Sequence, residues 1–282
     1  MTIIDAHQHF WQAKVFDILR LPTEMEILKQ EYTPEQLKPV LDEYGISRTV
    51  LVQTYSSMEN TWDFLRIAES HHWVAAVVGW VDLADPTVGT VLDSLMQHPK
   101  FRGVRHQWHD EPDPEWILRP DVLRGLRELE RRGIPFDLLP KQPQWHLIPH
   151  VAEAVPDLPM VIDHIGKPNI AARQFDDWAR AMADAAASPR IMCKLSGMVT
   201  EADWRLWTPA DLKPYVEKVL ELFGVERVMF GSDWPVCLLA ASYPRVLNAL
   251  RECLGALSTD ELAMVMGGNA ARFYGIAEQA TP

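Results

Sequence analysis

Cysteine is scarce in this sequence of 282 residues: there are 3, Cys193, Cys237 and Cys253, and no Cys-x-x-Cys pair. That excludes a disulfide framework and a thiolate-built zinc knot, and leaves packing as the expected role of each thiol. Positive charge is also short, with 27 Lys plus Arg against 39 Asp plus Glu and a net charge of −12. A nucleic-acid backbone needs a basic face, so that partner is disfavoured, although a few local cations could still hold a small ligand. No apolar run approaches the ~18–20 residues of a membrane span, and the sequence opens on Asp5 and histidines rather than on a cationic and then apolar leader. The expectation is a cytoplasmic protein with no membrane partner. Internal repeats, low-complexity tracts and Pro/Gly/Ser-rich linkers are missing too, which favours one domain over residues 1–282.

What is present is a regular alternation. Eight short apolar, β-branched runs recur, at 3–7, 49–54, 74–81, 101–106, 135–139, 160–164, 191–195 and 227–232. Helical periodicity fills the gaps at 34–44, 60–70, 85–97, 119–132, 145–155, 175–187, 209–223 and 243–254, and Thr33-Pro34 and Thr208-Pro209 are start signals. Eight βα units predict an α/β fold of the (β/α)8 TIM-barrel type, with two short terminal helices at 258–266 and 269–274. A doubly wound open sheet would place a Gly-rich phosphate turn after its first strand, where this chain has His7-Gln8-His9. Residues 11–30 form a long first βα loop, of the kind that covers barrel sites.

Barrel sites lie at the carboxyl ends of the strands. In an extended strand His7 and His9 share a face, where one small ion or polar substrate could touch both. The other strand ends supply Gln53 and Tyr55, Trp80 and Asp82, Arg105, His106, Trp108 and His109, then Lys141 and Trp145, Asp163, His164 and Lys167, Lys194 and Ser196, and finally Ser232, Asp233 and Trp234. Trp11, Trp80, Trp108, Trp145 and Trp234 all fall just past strand ends. Their flat faces suit either the C–H surface of a sugar ring or the packing of the loops together. Gln53, His106, His109 and Lys141 are the matching candidates for hydroxyl or carboxyl contacts.

His7 and His9 on the first strand, His164 on the sixth and Asp233 on the eighth resemble the amidohydrolase superfamily, as do the stretches Asp163 to Pro168, Phe230 to Pro235 and Gly268 to Arg272. The opening Ile4-Asp5-Ala6-His7-Gln8-His9-Phe10-Trp11 is most similar to the lactone-hydrolase branch. That branch includes sugar-acid lactonases acting on L-fuconolactone or L-rhamnonolactone and the 2-pyrone-4,6-dicarboxylate lactonase. The resemblance implies a hydrolase of carboxylic esters whose partner is a small sugar lactone. Asp233 would be general base, and His164 and Arg105 would act on the carbonyl. Phe136 to Pro140 holds neither the His nor the bridging Lys of binuclear members, which implies at most one metal. Two mechanisms stay open: one Zn2+ on His7, His9, His164 and Asp233, occupied without being indispensable, or no metal at all. A metal-dependent decarboxylase of the aminocarboxymuconate-semialdehyde type and a non-catalytic sugar- or metal-binding barrel are the alternatives.

Overall fold

The computed structural model describes residues 2–12 and 21–277. Eight parallel strands stand in sequential order: β1 (Ile3–Gln8), β2 (Ile46–Val52), β3 (Val74–Gly79), β4 (Phe101–Arg105), β5 (Phe136–Leu138), β6 (Met160–Ile162), β7 (Ile191–Leu195) and β8 (Val228–Phe230). A helix follows each strand: α1 (Pro34–Glu43), α2 (Met58–Ser70), α3 (Val88–Leu95), α4 (Pro120–Arg132), α5 (Ile148–Ala154), α6 (Asp176–Ala186), α7 (Pro209–Phe223) and α8 (Tyr243–Cys253). This is the expected barrel. Its helices start where the sequence signals: Thr33 and Thr208 each begin a capping box with Pro at the first helical position.

Among the described residues, two backbone hydrogen bonds join the segment after β8 to β1, Asp233 N to His7 O at 2.8 Å and His9 N to Trp234 O at 2.7 Å. Asp5 adds a side-chain clasp, accepting from Ser232 N at 2.8 Å. The seam between β8 and β1 therefore runs through the residues singled out above.

Two apolar layers surround the strands. The larger fills the space between strands and helices, and the smaller lies inside the barrel, with Ile4, Ala6, Val161, Met192 and Met229 joined by Tyr274 from the chain's last helical segment. Strict alternation from Ile4 and Ala6 would turn His7 outward. Instead the β1–β2 register shifts between Asp5 and Gln8, which pair with Thr49 and Leu51, so three steps on β1 match two on β2. That bulge brings His7 into the interior.

Several strands are shorter than their apolar runs. The sixth stops at Ile162 because the chain kinks through Asp163–Gly166, with His164 at φ 54° and Ile165 at φ 48° in the left-handed region. The expected helix at 145–155 is likewise a 3-10 segment, Gln142–Leu147, that passes into α5. Of the long first loop, residues 13–20 lie outside the described residues, as do positions 1 and 278–282 of the expected domain span. Its described ends are pinned: Trp11 pairs with Tyr32 through two backbone bonds, and the Trp11 indole N–H donates to Gln30 O at 2.8 Å. No helix among the described residues is long and apolar enough to cross a membrane.

Candidate active site

His7 and His9 meet at the seam with their Nε2 atoms 3.1 Å apart. His9 Nδ1 is 2.8 Å from the Val52 carbonyl oxygen, which can only accept, so the proton sits on Nδ1 and Nε2 offers its lone pair. Asp233 Oδ1 completes the centre at 3.4 Å from His9 Nε2, 3.9 Å from His7 Nε2 and 3.8 Å from His164 Nε2. Both flanking segments need unusual backbone: His164 and Asp233 (φ 59°) are left-handed, a conformation that costs a non-glycine residue about 1–2 kcal/mol. Gly197 explains how one of them is held. A Cβ there would lie 2.5 Å from the His164 ring, so the imidazole packs directly on that backbone and bonds Ser196 Oγ through Nδ1 at 2.9 Å.

Beneath this mouth lies a layer of buried charge. Lys194 Nζ, without solvent contact, is 2.5 Å from Asp137 Oδ2 and 2.9 Å from Asp163 Oδ1. Arg105 Nη1 is 3.2 Å from Asp163 Oδ2 and 3.2 Å from His7 Nε2, and its Nη2 donates to the Gln53 carbonyl. Tyr274 closes the floor by donating to Asp137 at 2.9 Å. Two carboxylates and two cations therefore neutralise each other inside the barrel. Burial would raise Asp163, but Lys194, His7 and Arg105 around it hold it well below the usual carboxylate range. Burial pushes Asp137 up to about 6 against the pull of Lys194. The same desolvation drives His7 and His164 well below ordinary imidazole values, which keeps them neutral.

A cavity of about 200 Å³ opens over the centre, lined by His9, Arg105, His164 and Asp233 below and by Trp11, Leu21, Leu28, Thr54, Gln107, His109, Leu139, Lys167 and Val236 around it. Of the expected substrate contacts, His109 lines it, with Nδ1 donating to Leu139 O at 3.2 Å and burial lowering the ring to about 4. Other expected contacts have their polar atoms engaged elsewhere. The Trp80 indole donates to His106 Nδ1 at 2.9 Å while His106 Nε2 meets Glu111 at 2.6 Å, and the ring stacks on Trp116 at 3.9 Å. The Trp145 indole donates to Gly166 O at 2.6 Å, and Trp108 is fully buried. Trp234 packs between Phe10 and Tyr32. Gln53 lies beside Arg105, with its amide toward the Arg105 carbonyl at 3.4 Å, and Lys141 sits at the rim, 3.5 Å from Asp110. Asp137, the partner of Lys194, is the residue that sequence reasoning missed; a lone carboxylate inside an apolar strand was the available signal.

The donor set suits a borderline-soft cation. His7, His164 and Asp233 each offer one atom within 4.8 Å of the others, and His9 adjoins them. Imidazole nitrogens with a carboxylate oxygen are ordinary zinc ligands.

A family profile described as amidohydrolase matches residues 4–276. An L-fucono-1,5-lactonase of Burkholderia ambifaria is 38% identical over 280 residues, covering 97% of this chain and 95% of that protein. Its counterpart from Burkholderia multivorans is 36% identical over 288 residues, covering 98% and 97%. A crystal structure of an amidohydrolase from Burkholderia multivorans with bound zinc is similar at a TM-score of 0.93 and 34% identity, covering 98% of this chain and 100% of that one.

Proposed function

The chain belongs to the amidohydrolase family, and on that premise we propose that it opens the ester ring of a sugar-acid lactone, L-fucono-1,5-lactone or a close stereoisomer. The observation that carries this reading is Asp233 Oδ1, set among three imidazoles at the floor of a cavity of about 200 Å³. Similarity to two L-fucono-1,5-lactonases over nearly the whole chain supports the substrate class.

In this reading Asp233 accepts a proton from the attacking water as its oxygen bonds to the lactone carbonyl carbon. Negative charge then builds on the carbonyl oxygen, where the Arg105 guanidinium supplies positive charge and N–H donors. Collapse breaks the bond to the ring oxygen, and Asp233 returns its proton to that oxygen as it leaves as a hydroxyl. Gln107, His109 and Lys167 line the route to the sugar hydroxyls, and Trp11 offers an apolar wall. A zinc ion held by His7, His9, His164 and Asp233 would supply Lewis acidity at the carbonyl when bound.

The test is a pH-indicator screen of sugar lactones with and without a chelator, run beside Asp233→Asn. Hydrolysis by the native chain and a loss on the order of 10³-fold in kcat for the variant, with ligand affinity retained, are expected. No turnover of any sugar lactone would end the proposal.

A further inference from the structure

His7 and His9 meet in a way that two neutral rings cannot satisfy alone. His9 gives its Nδ1 proton to Val52 O, and His7 Nε2 faces Arg105 Nη1, which can only donate, so in both rings Nε2 is the accepting nitrogen. Both Nε2 atoms then present lone pairs to each other across 3.1 Å. Lys194 Nζ also stands 3.2 Å from His7 Nδ1, between Asp137 at 2.5 Å and Asp163 at 2.9 Å. A positive charge is needed on the Nε2 side, and the chain brings its own: Arg105 Nη1 stands 3.2 Å from His7 Nε2. A guanidinium cannot deprotonate in a protein. It is also fixed in place, buried at 3% exposure, bridged to Asp163 Oδ2 and tied to the Gln53 carbonyl.

We propose that Arg105 is a built-in competitor of the metal ion, occupying the lone pair of His7 that a divalent cation at this centre would take. An incoming ion must either displace Nη1 from His7 Nε2 or accept a like charge at near-contact distance in a site with little water to screen it. The chain thereby keeps its metal affinity low and holds one positive charge against the carbonyl site whether or not an ion is bound. This rests on His7, His9, His164 and Asp233 being a ligand set, and is independent of which lactone is the substrate.

The experiment is a titration of the chelator-stripped full chain with Zn2+ against a chromogenic chelator, repeated with Co2+ read by its visible absorption. Arg105→Met and Arg105→Gln remove the charge, and both are expected to bind Zn2+ at least about tenfold more tightly than the native chain, whereas Arg105→Lys should stay within about threefold of it. Equal affinity in native and neutral variants would overturn the proposal while leaving the ligand set intact. Absence of binding to all of them would overturn both. A tight site in the neutral variants beside an undetectable one in the native chain would support it most strongly. Should the neutral variants not fold, crystals of the native chain soaked in Co2+ decide: Arg105 Nη1 withdrawn from His7 Nε2 supports the proposal, and a guanidinium unmoved beside a bound ion refutes it.

Discussion

Lys194 shows what single residues do here, because it is fully buried and has three polar neighbours, Asp137, Asp163 and His7. Replacing it with Met would leave Asp137 and Asp163 sharing one guanidinium within the barrel. Urea unfolding of Lys194→Met at neutral pH should show a loss of about 3–5 kcal/mol, the usual cost of stranding a buried charge; a loss below about 1 kcal/mol would mean the network carries little weight. Asp163 and Lys194 were visible in the sequence as polar residues at strand ends, and His7, His164 and Asp233 as members of one ring. The tryptophans were not legible in the same way. Spacing put them past strand ends, but whether an indole faces a cavity depends on the path of its loop, and Trp80 and Trp145 had partners for their N–H groups in His106 and Gly166. Asp137 escaped notice because a three-residue strand flanked by Phe136 and Leu138 looks apolar throughout.

At the scale of elements, the barrel could be inferred from eight alternations of strand and helix, and those elements are where the sequence placed them to within a few residues. The β1 bulge could not be inferred, because period-2 reasoning fixes which residues share a face and is silent on an extra residue. The sixth strand's early end was hidden for a related reason: Met160 to His164 has the composition of a strand, and only contact with the β7 loop bends His164 and Ile165 into the left-handed region. Gly197 on that loop is the piece that permits it. Gly197→Ala would push a methyl into the His164 ring and strain a backbone at φ 60°. We expect a folded protein by circular dichroism whose kcat/KM falls on the order of 10²-fold, the scale of a misplacement near 1 Å. Unchanged kinetics would show that the His164 position is not set by this contact.

For the whole molecule, two sets of buried groups make stability respond to pH in opposite directions. Burial lowers four histidines, His7, His106, His109 and His164, below their ordinary values. Their contribution is complete above about 6.5 and is lost as pH falls, since the unfolded chain then binds protons the folded one refuses. Burial raises Asp5 and Asp137 to about 6 from 3.8, so between those values the folded chain binds protons the unfolded one lacks, and stability from this source falls as pH rises. Histidines outnumber carboxylates, and acidification should destabilise the protein with a slope the two aspartates soften. Asp5→Asn, which can keep its bonds to Ser232 N, His7 N and the Tyr243 hydroxyl, should therefore make thermal stability fall more steeply between pH 6 and 4 than in the native chain. A slope unchanged or shallower would contradict that assignment. The same aspartate belongs to the clasp between first and last strands, and there lies a consequence for how such a protein can change over generations. Where the barrel shuts and where the ring opens are one place, so most alterations of β1 or the Ser232–Trp234 segment that would redirect the chemistry also loosen the closure. Lineages in search of new substrates are expected to keep that joint and vary the loops after β4 and β5, which line the cavity away from the seam.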